Sequence, residues 1–351
     1  MGALEEGARN LVVGCGGFRA GQRVLVVCED PALGWHDAAA PEAVARCLAA
    51  IGAEATLLPV AGPEAGMPPA VAAAMDAHDG TIFFARIGDQ DRFAARDPGR
   101  TVVMSYARTA EALASDFGRL PHGMMVALKE AVEALCDGVR QVRISCPLGT
   151  ALEGETGALA LDDVSIRRFP LCVPRPLPAA GLEGRVALAR WLTPTGSRAY
   201  APAWLALEET VFAVIAGGRV QRYEGPARLV AAVEAHYAAV AGRFDIDPGV
   251  VHSWHAGIHP GCAYGEPAAE DPDRWSNSLF GSPRFLHFHT CGDYAPGEIC
   301  WMVQDPTIVL DGVDLWRGGR LVAGALEGQG AFFDTAPGLR EALGRRVEAI
   351  G

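Results

Sequence analysis

A chain of 351 residues, half of them hydrophobic, exceeds what one compact core usually holds and predicts two domains. Its 42 acidic and 30 basic residues leave a net charge of -12, and the basic residues form no long run, so neither a nucleic acid nor an anionic membrane surface is the expected partner. No uncharged apolar stretch reaches the roughly 18 residues of a membrane span, and the first residues, MGALEEGARN, are acidic where a signal peptide is basic; a cytoplasmic protein handling a small molecule is expected.

Gly14 to Gly17 in VGCGGF precede the first good strand instead of following it, so a dinucleotide-binding turn is excluded by context and a loop is expected. The β-branched apolar run RVLVVCE, from Arg23 to Glu29, reads as a buried parallel strand. Pro41 to Ile51 carries Pro in a first turn and apolar residues at helical spacing; Gly52 stops it and the strand-like ATLLPV follows, completing a βαβ unit. The pattern continues with helix VAAAMDAH, strands TIFFARI and TVVMSYA, helix GMMVALKEAVEALCDG and strand QVRISC. Residues 1–145 therefore predict an open α/β domain with a mostly parallel sheet.

Beyond Cys146 the texture changes to Pro, Gly and short β-like runs, and residues 146–351 predict a β-rich α+β domain with one clear helix, ARLVAAVEAHYAAVAGRF. TVFAVIAGGRVQRYEG and VDLWRGGRLVAG each show strand, Gly-Gly turn, strand, the pattern of a tight hairpin. Nine cysteines without a CxxC pair make a disulfide framework improbable and predict reduced, mostly buried thiols.

Five of the nine histidines fall between His252 and His289, where even spreading would put about one. Imidazole is the commonest protein ligand for zinc, iron and copper, so this cluster predicts a metal site in the second domain. His255 and His259 are four apart, but Gly257, Pro260 and Gly261 argue against a helix there and for a loop or strand end. His287 and His289 are two apart in RFLHFHTC, and side chains at i and i+2 of a strand share a face, so both can reach one ion. Asp305 follows the apolar strand ICWMVQ and precedes Pro306; it either completes a set of two histidines and a carboxylate or simply forms a turn. Cys262 and Cys291 near His259 and His289 leave a Cys/His zinc site open, without regular ligand spacing to support it.

Taken in order, LVVGCGGFRAGQRVLVVCED, ISCPLGTALEGETG, HAGIHPG, FLHFHTCGDY and QDPTIVLDG resemble the aminopeptidase T-type metallopeptidases and their iron-dependent relatives, the 2,5-dihydroxypyridine 5,6-dioxygenases, over nearly the whole chain. The resemblance implies a metalloenzyme that works as a homodimer or larger homo-oligomer. His255 stands where the peptidases carry a Glu ligand and the dioxygenases a His, which favours the iron branch; His287 and Tyr294 match a peptidase His and Tyr, which favours the other. Both branches carry a His-x-Asp ligand pair near the end, and here the matching residues are Val303, Gln304 and Asp305, so His289 or His287 must supply the missing ligand.

The reaction implied by the resemblance is that of a mononuclear Fe(II) oxygenase using O2 on a small aromatic or amino-acid-like substrate. Its metal would be held by His255, His289 and Asp305, with His287 and His259 as further candidates. Tyr294 and Glu155 would take catalytic roles, and Arg86 and Arg168 would bind substrate. Independently of the resemblance, His122, in the turn of Pro121 and Gly123 before a helix, either caps the substrate pocket or is a loop histidine at the helix entry. The alternatives are a zinc- or cobalt-dependent aminopeptidase-like hydrolase and a metal-binding protein without turnover.

Overall fold

The computed structural model describes residues 2–63, 66–156, 164–196, 198, 200–292, 297–327, 333 and 337–351. Its strands, in chain order, are β1 (Arg23–Glu29), β2 (Glu54–Val60), β3 (Gly80–Phe84), β4 (Thr101–Ser105), β5 (Val142–Ser145), β6 (Ala151–Gly154), β7 (Arg167–Phe169) and β8 (Leu177–Pro178), then β9 (Leu182–Pro194), β10 (Leu205–Ala216), β11 (Arg219–Glu224), β12 (Val251–Ala256), β13 (Phe285–Thr290), β14 (Ile299–Gln304), β15 (Thr307–Leu310) and β16 (Val313–Trp316). They form a parallel sheet of order β2-β1-β3-β4-β7 and a large antiparallel sheet of order β16-β15-β5-β6-β9-β14-β13-β12-β8, to which β10 and β11 add through β9. The protein is thus mixed α/β, with one sheet of each kind. By contacts the chain divides into one unit of Met1–Val126 with Asp163–Cys172 and another of Ala127–Asp162 with Val173–Gly351. Among the described residues, no helix is long and apolar enough to cross a membrane.

In the first unit the expected βαβ pattern forms. The helix Ala39–Ala50 buries Ala40, Ala43, Val44 and Leu48, the stripe its spacing dictates, and ends before Gly52, whose φ of +82° only glycine adopts without strain. Every residue of β3 is buried, as a parallel strand covered on both faces requires. The loop expected at Gly14 is instead a helical turn: Asn10–Cys15 continues the helix Ala3–Arg9 in π geometry. QVRISC forms a strand, but β5 pairs antiparallel with β6 and β15 in the second unit, and β7 completes the parallel sheet. The reason is visible in its side chains: Val142 and Ile144 are buried while Arg143 and Ser145 are exposed, the alternation of a sheet with one wet face.

In the second unit β12, β13 and β14 lie side by side, and β13 is buried along its whole length. One face of this trio packs against the helix Ala227–Phe244 through a hydrogen-bond chain: the Trp301 indole donates to the Tyr237 hydroxyl (2.6 Å), which lies 2.5 Å from Thr290 Oγ1, which donates to the Ile299 carbonyl (3.1 Å). TVFAVIAGGRVQRYEG forms the expected hairpin β10–β11. VDLWRGGRLVAG forms only its first strand, β16, closed by a single bridge from Trp316 to Leu321.

Candidate metal centre

Register decides what the histidine cluster becomes. In the β12–β13 ladder His255 pairs with His287 and Ser253 with His289, so alternation puts His255, His287 and His289 on one face, opposite the face that meets the Ala227–Phe244 helix. All three are buried, and their ligand nitrogens lie within 4.8 Å of one another. Their ring centroids are 3.9 Å apart for His255 and His287, 5.1 Å for His255 and His289, and 5.2 Å for His287 and His289.

The donor chemistry fits a metal ion. His255 Nδ1 lies 3.0 Å from the Pro174 carbonyl, which can only accept, so Nδ1 carries a hydrogen and the neutral ring presents the Nε2 lone pair. That Nε2 lies 3.1 Å from His289 Nε2. This is the spacing of a hydrogen bond between the two rings, and it is also that of two nitrogens sharing one ion at roughly 2.1 Å each, which stand roughly 3.0 to 3.4 Å apart depending on the angle. Phe280 meets the His287 ring edge-on at 6.1 Å. On the same side the helix Pro272–Leu279 places Trp275 against Phe285, and Ser276 accepts the Thr193 hydroxyl, all four side chains being buried. The turn beneath is tight: a Cβ on Gly257 would lie 2.3 Å from the Ser282 carbonyl oxygen, which only glycine avoids.

The other expected ligands lie elsewhere. Asp305, at the end of β14, accepts hydrogen bonds from Arg284 on both oxygens and lies 3.1 Å from Arg346. Burial pushes its carboxyl up, but Arg284, then Arg346 and Gln304, outweigh that and hold it below the usual carboxylate range. It does not join the three histidines, and among the described residues no carboxylate does. His259 is fully buried, its Nδ1 accepting from the Gly261 amide (3.1 Å) and its backbone donating to Gly281; burial pushes it down to about 3, so it stays neutral and locks the turn. Val303 pairs with Leu286 in the β13–β14 ladder and so lies on the opposite face from His287, whereas Met302 pairs with His287 and Cys300 with His289. A histidine at 303 would therefore not reach the group.

Of the expected catalytic residues, Tyr294 lies outside the described residues, and Glu155 is exposed, its amide donating to Gly181. Arg86, Arg168 and His122 belong to the first unit. Arg86 is held by the buried Glu29: its amide and its Nε each donate to that carboxylate at 2.9 Å, and its guanidinium stacks 4.1 Å from the Trp35 ring. Arg168 is buried on β7. His122 opens the helix His122–Cys136, its amide donating to Asn10 Oδ1; burial, then the charge of Arg167, pushes its ring down to about 4. Sequence reasoning missed Pro174, Phe280 and Met302, because each meets the histidines only through strand pairing or chain folding.

No family model matches the chain, and no curated protein matches its sequence. Two solved structures share the fold over almost their whole length. One is a 2,5-dihydroxypyridine dioxygenase from Pseudomonas putida KT2440, with a TM-score of 0.59 and 13% identity over 92% of this chain and 97% of that one. The other is wild-type AmpT from Thermus thermophilus, an aminopeptidase, with a TM-score of 0.52 and 14% identity over 92% and 99%.

Proposed function

We propose that the chain is a mononuclear metal-dependent oxygenase whose ion is held by His255, His287 and His289. The observation that carries this reading is the convergence of three imidazoles on one face with no carboxylate in the group among the described residues. A two-metal hydrolase needs ligands that bridge its ions, and imidazole does not bridge them as carboxylate does. Three neutral ligands also leave the ion's full charge uncompensated, which suits an anionic substrate chelating through two adjacent donors, such as a deprotonated hydroxyaromatic acid. Iron(II) is the ion this reading assigns, and when bound it would supply the open positions at which substrate and O2 meet.

The chain's own residues prepare that site. The Pro174 carbonyl fixes the His255 ring so that its Nε2 faces His289, and Phe280 packs edge-on against His287. The sequence resemblance assigns catalytic roles to Tyr294 and Glu155 and puts Arg168 in a pocket-lining segment, while Arg86 is already committed to Glu29. Partners on this reading are a small-molecule substrate, O2 and further copies of the chain.

A second reading rests on the same donors: three histidines with an open position also hold zinc for water activation, which would make the chain a mononuclear hydrolase. Purification without oxygen, metal analysis and O2-uptake assays on hydroxypyridine and catechol acids decide between them. About one iron per chain with substrate-dependent O2 uptake supports the oxygenase. Zinc or cobalt with release of amino acids from peptides and no O2 uptake supports the hydrolase and overturns it.

A further inference from the structure

Alternation along β14 turns Cys300 and Met302 toward the histidines and Val303 away from them. Cys300 is buried opposite His289, but its thiol is engaged by the Ser276 and Thr193 hydroxyls and does not enter the histidine group. Met302 is buried directly opposite His287. Directly opposed Cβ atoms in an antiparallel pair lie about 4.5 to 5.5 Å apart, and the methionine chain is unbranched and flexible enough to bring its sulfur to the tips of facing rings.

We propose that Met302 supplies a thioether donor to the three-histidine group and that the resulting set selects an ion in its lower oxidation state; this rests on the three-histidine reading above. Three imidazoles and a thioether are all neutral, and the thioether is soft. Such a set stabilises Cu(I) or Fe(II) over their oxidised forms and discriminates against hard ions, because no anionic oxygen is present to compensate a higher charge.

The test uses the full chain stripped of metal, with Cu(I) as the soft probe and Zn(II) as the comparison. Affinities are measured by competition with chromophoric chelators without oxygen, on wild type, Met302→Leu and His255→Ala. Leucine preserves volume and hydrophobicity, so the variant keeps its fold, which circular dichroism verifies. The expected result is a loss of Cu(I) affinity of about tenfold or more in Met302→Leu with Zn(II) affinity unchanged, together with a sulfur neighbour in the X-ray absorption spectrum of the Cu(I)-loaded wild type that the variant lacks. Equal Cu(I) affinities and no sulfur scatterer overturn the role of Met302 while leaving the histidine site standing. Failure of the wild type to bind either ion, or binding undiminished in His255→Ala, overturns the histidine site and this inference with it.

Discussion

His255 and His287 sit directly opposite one another across the β12–β13 ladder, ring centroids 3.9 Å apart, although 32 positions separate them in the chain (287 − 255). Two buried imidazoles brought that close, with a third at i+2, form a group suited to a shared proton or a shared ion. Replacing any one of the three by Ala is expected to drop bound metal from about one per chain to well below it, with affinity down at least roughly 10- to 100-fold. Elemental analysis of the three variants, with far-UV circular dichroism as the control for folding, checks this. Full metal occupancy in all three would place the ion elsewhere.

Val303→His should not create a ligand. Residue 303 lies on the face packed against the Ala227–Phe244 helix, so an imidazole there must be buried among apolar groups, at a cost of roughly 1 to 3 kcal/mol. A lowered melting temperature with unchanged metal stoichiometry is the expected result. A rise in metal affinity would mean that β14 is turned over relative to the ladder described.

Asp305→Asn should cost stability rather than metal. The carboxylate is bound by Arg284 on both oxygens, and removing its charge leaves a buried guanidinium poorly paired, at about 3 kcal/mol near neutral pH. Because the folded carboxyl titrates below its unfolded value, this stabilisation is fully present above the unfolded value of about 4 and is lost as the pH falls from there through the lower folded one. Denaturant titrations at pH 7 and pH 3 should show the gap between wild type and variant closing. Loss of bound metal in this variant would instead return Asp305 to the ligand set.

Tyr237→Phe removes the central hydroxyl of the chain that runs from the Trp301 indole to Thr290. The indole N–H is then buried without its acceptor, and a loss of about 1 to 3 kcal/mol is expected, readable as a lower denaturation midpoint with an unchanged slope. A neutral outcome would show that water or a neighbouring group takes over the bond.

Cys15, Cys136, Cys291 and Cys300 are buried, and burial pushes each thiol up to about 12. At pH 8 they should resist maleimide in the folded protein and react on unfolding, since the thiolate is the reactive form. Peptide mapping by mass spectrometry reads this directly; rapid labelling of Cys300 in particular would contradict its packing against Ser276 and Thr193.

Much was determined locally by the sequence. The buried apolar runs of β1 and β3, the amphipathic stripe of Ala39–Ala50 and the glycine pair turning β10 into β11 are written in short-range pattern, because period and turn chemistry act over a few residues. The pairing of His287 with His289 was legible for the same reason, as i and i+2 of one strand share a face. The tertiary structure alone decided which residues share the face of the three histidines. Ladder register placed His255 opposite His287, turned Met302 inward and Val303 outward, and gave Asp305 to Arg284 instead of the histidines. It also sent β5 to the antiparallel sheet and brought β7 back to the parallel one. A one-residue shift of register exchanges the two faces of a strand, and register is set by packing across the whole sheet, so no local pattern could specify it.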